Sequence, residues 1–440
     1  MATVMLRRFV RLCRYLQDPC HVARFQQLCG VRGTFSRRSA ATEKERERDP
    51  SPNGACVKRC DADREPDTDI RKCVKPHDPV NGQNKDVSAC RTGSEEKFDS
   101  RGRVKPLRKN SLTDDVGQEF IIESRFLFYL FTMGTELGNE MFFIVFFPFL
   151  MWNVDACVSR QVIVVWVWVL FFGQTTKDLV RWTRPASPPV VKVEVFYNFE
   201  YSMPSVHAMT GTSVPFCVFM LTYNRWEYPF LFGLSVAICW SFLVCISRIY
   251  MGMHSVLEVI TGFLYSLLIL AGFLPVLDDI DTFYLSASMA PALILLLHVG
   301  LSMLAFSLDS WSTSRGDTAQ ALATGAGGAL ASNLNHWLGL QIDPPASSLP
   351  LTMPSITGAL LGRTLLRLLI GVAVLLAVRA IMKAIAIPLA CQLFGVPSND
   401  VRKARQNPRV EITYRFLVYG TVAFCCVFLV PLFFLCLNLS

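Results

Sequence analysis

The sequence predicts an all-α protein: a polytopic membrane helix bundle of about eight to ten spans that follows a disordered polar tail. Hydrophobic residues make up 52% of the 440 positions, and the mean hydropathy of +0.35 is high for a water-soluble protein. These apolar residues cluster in long runs, whereas the amino-terminal part of the chain is polar. We therefore expect a tail over 1–117, a membrane core over 118–310 and a further membrane region over 311–440.

The charge distribution and the cysteine spacing argue against a nucleic-acid-binding protein, a disulfide-linked protein and a zinc protein. The net charge is +8, and much of the excess lies in the tail and in Arg363–Arg415, which is typical of segments beside a cytosolic leaflet. The chain contains no nucleic-acid-binding motif, so we expect no nucleic-acid partner. Its fifteen cysteines indicate free thiols rather than a disulfide framework. Four of them fit zinc modules poorly, so we expect no metal: Cys56, Cys60, Cys73 and Cys90.

The amino-terminal region has two parts. Met1–Gly30 interleaves Arg with Leu, Phe and Val at helical spacing and lacks the apolar core of a signal peptide. An amphipathic helix on an anionic membrane surface is our preferred interpretation, and an Arg-rich transit-like segment is the alternative. Thr34–Gly117 has too few apolar residues to offset the entropy of ordering and is predicted to be disordered. Ser100 and Ser111 lie near basic residues there and are candidate phosphorylation sites, although a plain linker is the simpler interpretation.

Apolar runs predict six spans in the core region. Glu136 and Glu140 interrupt the first span and share a helix face, so they either pair with a cation of the site or make a structural contact between helices. Leu308–Thr318 is predicted to be a polar loop, with a place at the entrance of the site as the alternative. The six spans are Phe126–Trp152, Val162–Thr176, His207–Tyr223, Phe230–Ile246, Val256–Leu274 and Phe283–Phe306.

Beyond the sixth predicted span, the hydropathy pattern separates spans from loops less clearly. Ile356–Val378 and Phe416–Leu437 are predicted to be spans. Ala321–Leu340 is rich in Gly and Ala and either spans the membrane or re-enters it. Ile381–Phe394 is short for a span and contains Lys383.

Three polar blocks lie at the ends of these spans: Lys177–Pro185, Met203–His207 and Ser247–Glu258. Counting the crossings puts all three blocks on one side of the membrane. Charged groups at such positions are costly and therefore indicate a function. Cations, a hydroxyl and two imidazoles are the groups that a site for a tetrahedral oxyanion requires.

The blocks resemble the signature of the type 2 phosphatidic acid phosphatase superfamily, which reads K-x6-R-P, P-S-G-H and S-R-x5-H-x3-D. Two positions depart from it, because Val206 replaces Gly and Glu258 replaces Asp. The chain is more similar still to the sphingosine-1-phosphate phosphatases. The similar segments are Trp182–Val190, Phe196–Pro204, Ser247–Ser255, the remote Leu16–Gly30 and Leu308–Thr318.

A phosphate monoester is a dianion near neutral pH, so a site must neutralise its oxygens before a nucleophile can attack. We assign this role to Lys177, Arg184 and Arg248, with the Ser205 hydroxyl as a further donor. The backbone N–H groups that open the helix after Pro204 are also expected to face the phosphate.

The resemblance implies the roles of the two histidines. His254 is implied to be the nucleophile that forms a phosphohistidine, and His207 the general acid and then the base for water. Glu258 lies one helical turn after His254, where it can orient the imidazole. The resemblance also implies a reaction that needs no metal or other cofactor.

The same resemblance implies sphingosine 1-phosphate and dihydrosphingosine 1-phosphate as substrates and the endoplasmic reticulum membrane as the location. The residues alone leave open a related membrane phosphatase with another lipid or a sugar phosphate as substrate, or an inactive membrane scaffold. Sidedness is also open. The basic tail favours the cytosol, and the resemblance favours a lumenal site.

Overall fold

The computed structural model describes residues 2–33, 103–104, 120–194, 200–308, 314–340, 343–397 and 407–439. These residues are almost entirely helical, which confirms the predicted all-α class. The segment Thr34–Gly117, predicted to be disordered, lies outside them except for one two-residue strand. Ser100, Ser111, Cys56, Cys60, Cys73 and Cys90 are therefore not described. The helices are α1 (Ala2–Gln17), α2 (Pro19–Leu28), α3 (Arg125–Glu136), α4 (Glu140–Asn153), α5 (Ala156–Val180), α6 (Val206–Tyr223), α7 (Phe230–Tyr250), α8 (Val256–Phe273), α9 (Leu277–Ser286), α10 (Ala290–Leu308), α11 (Ser314–Trp337), α12 (Gly358–Leu393), α13 (Pro408–Val427) and α14 (Leu429–Cys436).

The described residues contain six helices, some of them continuous pairs, that are long and apolar enough to cross a membrane: α5, α7, α8–α9, α10, α12 and α13–α14. Three other segments of the bundle are less apolar or are broken. They are α6 with 18 residues, α11 with 24 residues, and the pair α3–α4, of which only Met141–Asn153 has the composition of a short apolar helix. The structure thus supports a polytopic membrane helix bundle with six candidate spans in the described residues.

Three segments differ from their predicted form. The first span is two helices, because the chain leaves the helix at Leu137–Asn139. The two segments predicted as Ile356–Val378 and Ile381–Phe394 are one continuous helix of 36 residues.

Asn139 donates to the Glu136 carboxylate over 3.2 Å, and no ion pair joins Glu136 to a cation of the described chain. The proposed pairing of Glu136 with a site cation is therefore wrong.

A small antiparallel sheet closes the amino-terminal end of the bundle. β1 (Val31–Gly33) and β2 (Arg103–Val104) flank β3 (Phe120–Ile122), with Val31 opposite Ile122. The prediction of disorder for Thr34–Gly117 is thus wrong at Arg103–Val104. Val31, Phe120 and Ile122 are buried in one cluster with Tyr250 and Met253 of the site region.

The core of the bundle lies between α4, α5, α6 and α8. Phe143, Phe147, Trp166, Met209 and Ile269 are buried together there. The helices begin where short polar side chains accept from their first free N–H groups. Asp155 accepts from Cys157 and Val158 at the start of α5, and Ser205 accepts from Ala208 at the start of α6.

Two glycines allow the close contacts that shape the site. Gly252 has a φ of +70°, and a Cβ there would lie 2.2 Å from the Val191 carbonyl oxygen. Gly262 lets α8 approach the start of α6, where a Cβ would lie 2.7 Å from the Ser205 carbonyl oxygen. The turn that carries His254 and the helix that carries Glu258 therefore pack directly against the other blocks.

Candidate active site

The end of α5 and the loop after it hold the first two cations. Lys177 Nζ lies 2.5 Å from Glu200 Oε1, and Arg184 Nη2 lies 2.9 Å from Glu200 Oε2. All three side chains are at least nine-tenths buried. Burial raises the pKa of the Glu200 carboxyl, but Lys177 and Arg184 outweigh it and hold this pKa below its ordinary value. Glu200 is therefore an ionised counter-ion that bridges both cations.

Arg248, near the end of α7, is the third cation. It is fully buried, and its Nη2 atom lies 3.2 Å from Glu194 Oε2. Its Nε and Nη1 atoms are buried and have no hydrogen-bond partner among the described residues. Buried guanidinium donors are normally satisfied, so this side chain has two N–H groups with which to bind an anion.

His254, Glu258 and Ser202 form a second buried group. His254 Nδ1 lies 3.1 Å from Glu258 Oε2, and Ser202 Oγ donates to the same carboxylate oxygen. The carboxylate also accepts from the Ser255 N–H at 3.0 Å, as part of the capping box that begins α8. Glu258 is thus fixed by α8, so we assign the proton of the imidazole to Nδ1. The opposite nitrogen of His254 then carries the lone pair.

Ser205 and His207 open α6 beside this group. The backbone N–H of Ser205 donates to the Glu258 carbonyl oxygen at 3.3 Å, so it does not face a phosphate as the sequence led us to expect. The Ser205 hydroxyl oxygen caps α6 and can still donate its hydrogen. His207 lines a cavity of about 200 Å³ together with Lys177 and Glu200.

The electrostatics of His254 connect the blocks. Burial lowers the pKa of His254 well below its ordinary value, and Arg184, Arg248, Lys177 and His207 act in the same direction. The imidazole is therefore neutral at physiological pH, which is the form that a nucleophile needs. These interactions connect His254 with residues of all three blocks, and the catalytic roles of these residues stay predictions.

The comparisons with known proteins can be set beside this geometry. The PAP2 superfamily profile matches residues 159–280, a range that contains all three blocks. The chain is 46% identical to sphingosine-1-phosphate phosphatase 1 of Rattus norvegicus and 47% identical to that of Mus musculus, over 99% of each chain. It is 33% identical to sphingosine-1-phosphate phosphatase 2 of Homo sapiens over 96% of this chain and 97% of that protein. The chain belongs to the sphingosine-1-phosphate phosphatase family. No solved structure matches the chain.

The departures of this family member from the superfamily signature have a structural reason. Glu258 stands where the superfamily has Asp, yet its carboxylate reaches both His254 and the Ser255 N–H. Val206 stands where the superfamily has Gly, and it is buried in the core cluster with Met209 and Trp166. Neither side chain displaces its block from the site.

Several residues of the site were missed by the sequence analysis. Glu200 and Ser202 belong to the segment Phe196–Pro204, and Asp317 belongs to Leu308–Thr318. The first segment carried the family resemblance without an assigned role, and the second was given a place at the entrance of the site only as an alternative. Asp317 lies in the first turn of α11 and lines the His207 cavity, so the prediction of a plain loop is wrong from Ser314 onwards. Asp309 lies outside the described residues.

The remote segment Leu16–Gly30 also proves to be part of this region. Gln26 on α2 donates to the carbonyl oxygens of Val191 and Tyr250, over 2.7 Å and 2.9 Å, and accepts from the Val191 N–H. A second cavity, of about 430 Å³, lies between Arg14 and Asp18 on one side and Arg184 and Glu258 on the other. The amino-terminal helices therefore cover one side of the site.

Proposed function

We propose that this integral membrane protein hydrolyses the phosphate monoesters of sphingosine 1-phosphate and dihydrosphingosine 1-phosphate, releasing the free base and inorganic phosphate. The observation that carries the proposal is the buried His254–Glu258 pair beside Lys177, Arg184 and Arg248. The names of the relatives support the substrate. We also propose the endoplasmic reticulum membrane as its location, which the family resemblance implies.

In the first step, the lone pair on the unprotonated nitrogen of His254 attacks phosphorus, and a P–N bond forms as the ester P–O bond breaks. Lys177, Arg184 and Arg248 neutralise the charge on the phosphoryl oxygens. His207 gives its proton to the departing alkoxide. Glu258 holds the Nδ1 proton and stabilises the positive charge that develops on the imidazole.

In the second step, water attacks the phosphohistidine and gives a proton to His207, and the P–N bond breaks. Inorganic phosphate leaves, and both histidines return to their starting forms. Apart from the substrate and water, each group assigned to the two steps is a side chain of this protein.

The test is phosphate release from sphingosine 1-phosphate by the purified protein in detergent micelles. We expect turnover by the wild type, and a loss of roughly 1,000-fold or more for His254→Ala and His254→Gln. His336→Ala is the matched control, because His336 is exposed in the last turn of α11, and it should keep the wild-type rate.

The outcomes separate the alternatives. A wild-type protein that releases phosphate from no lipid would indicate a scaffold, and faster release from a different phosphate monoester would assign another substrate. Full activity of the His254 variants would refute the nucleophile. Brief reaction with labelled substrate should trap an acid-labile phosphoryl group on the wild type and on His336→Ala, but not on the His254 variants.

A further inference from the structure

The cavity that contains His207 has more acceptors than phosphate binding requires. Alongside Lys177, it is lined by the carboxylates of Glu200 and Asp317 and by the amide of Gln174. Carboxylates repel a phosphate dianion, so their place beside the cation cluster needs another explanation. Glu200 is accounted for by its two ion pairs, whereas Gln174 and Asp317 are not part of the proposed reaction.

Gln174 lies one helical turn before Lys177, so both side chains project from the same face of α5. Gln174 is only 5% exposed, and its Oε1 atom is buried with no hydrogen-bond partner among the described residues. A buried acceptor without a hydrogen-bond partner destabilises the folded state. Such an atom in a cavity wall is suited to a ligand that donates N–H groups.

Asp317 is a second acceptor in the same wall. One of its oxygens, Oδ1, accepts from Arg415 Nη1 at 2.8 Å, and Arg415 also pairs with Glu411 at 3.0 Å. The two carboxylates share the Arg415 guanidinium, so Arg415 does not neutralise Asp317 alone. The cavity is also lined by the apolar side chains of Phe143, Trp166 and Leu170.

The proposed substrate has matching chemistry. A sphingoid-base phosphate carries an ammonium group on the carbon next to the one that bears the phosphate ester, and an alkyl chain beyond it. A site for such a molecule needs cations for the phosphate, acceptors and negative charge beside them, and apolar surface for the chain.

We propose that Gln174 and Asp317 bind the ammonium group of the sphingoid-base phosphate and so select it over phosphate esters that lack an amine. This inference rests on the proposed function, because it places the phosphate of the same molecule at Lys177, Arg184 and Arg248. Gln174 accepts one N–H of the ammonium group through Oε1, and Asp317 supplies the opposite charge.

The test compares two substrates in the same mixed micelles: sphingosine 1-phosphate, and octadecyl phosphate, which has no amine. We expect the wild type to have the lower KM for sphingosine 1-phosphate. Asp317→Asn and Gln174→Leu should each raise that KM by about 10-fold or more and leave the KM for octadecyl phosphate unchanged. Asp281→Asn is the matched control, because Asp281 pairs with Arg160 at 3.0 Å and does not line this cavity.

A purely structural role predicts a different result. If the two residues only stabilise the fold, both substrates should lose activity in the same proportion, and the inference would be overturned. Gln174→Leu leaves the Asp317–Arg415 pair intact, so it tests the subsite even if Asp317→Asn misfolds. A wild type with equal kcat/KM for both phosphates would refute the ammonium subsite alone, whereas a wild type that hydrolyses neither would refute the proposed function.

Discussion

Glu200 places a negative charge among the cations that bind the substrate phosphate in the proposed mechanism. Its two oxygens contact Lys177 and Arg184 separately, so one carboxylate fixes the positions of two flexible basic side chains. Two buried cations without a counter-ion would repel each other and would lose most of their hydration. An arriving phosphate can take over this neutralising role, because it also presents several oxygens.

We therefore expect Glu200→Gln to destabilise the unliganded protein by roughly 3 kcal/mol, visible as a lower melting temperature in detergent. Inorganic phosphate should restore much of the loss, since it binds the folded state and supplies the missing charge. The wild type should respond less, because Glu200 already neutralises the cations. Glu227→Gln is the control, as Glu227 is exposed in the α6–α7 turn. Identical melting curves for Glu200→Gln and the wild type would contradict this role.

At the scale of the elements, α2 explains why a segment far from the three blocks in sequence resembles the same family. Its Gln26 is 1% exposed and connects the loop after Arg184 with the turn before His254. The Val193 N–H extends this connection by donating to the Met251 carbonyl oxygen at 3.1 Å. The helix therefore acts as a brace between two parts of the site.

Gln26→Leu keeps a side chain of similar size but removes three hydrogen bonds, leaving buried backbone groups unpaired. We expect a loss of stability of about 2–5 kcal/mol and a fall in kcat of about 10-fold as the loop and the turn lose their alignment. The neighbouring Gln27→Leu should change neither quantity, because Gln27 is exposed. Unfolding experiments measure the loss of stability, and phosphate release measures the fall in kcat. A Gln26→Leu variant with the wild-type kcat would show that the brace is dispensable.

The break between α3 and α4 is a feature that the hydropathy of the sequence did not predict. The apolar run Phe126–Trp152 is long enough for one span, yet Gly138 and Asn139 lie outside helix and line the His207 cavity. Such a break is tolerated at membrane depth only where protein or a polar cavity surrounds it. The surroundings of Gly138 permit the break, and they include His207 and Thr210 of α6 and Val244 of α7.

At the scale of the whole molecule, the two ends of the chain lie at opposite ends of the bundle. Arg14 and Asp18 line the cavity beside Glu258, at the end that holds the site. The Leu439 carbonyl oxygen accepts from Arg367, which also donates to Trp152 at the end of α4. Because α5 runs from beside Trp152 to Lys177, these contacts mark the two ends of the bundle. We therefore expect the two ends of the chain to face opposite sides of the membrane.

Tags before Met1 and after Ser440 should therefore behave differently in sealed microsomes. Added protease should remove one tag and spare the other until detergent opens the vesicles. The amino-terminal tag reports the side of the active site, so its protection would place the site in the lumen and its loss would place it in the cytosol. Protection of both tags, or of neither, would contradict the arrangement. A tag on Glu227, in the α6–α7 turn at the far end, should follow the carboxy-terminal tag.

The sequence by itself determined the class of fold and the candidate reacting groups. Long apolar runs require helices wherever the backbone must satisfy its own hydrogen bonds in lipid, and the cost of Lys177, Arg248 and His254 at the ends of such runs indicates function. Only the tertiary structure identified Glu200 as the shared counter-ion, Gln26 as the brace and Asp317 as a wall of the cavity. These roles come from contacts between residues distant in the chain, and no local period or spacing encodes which side chains will meet.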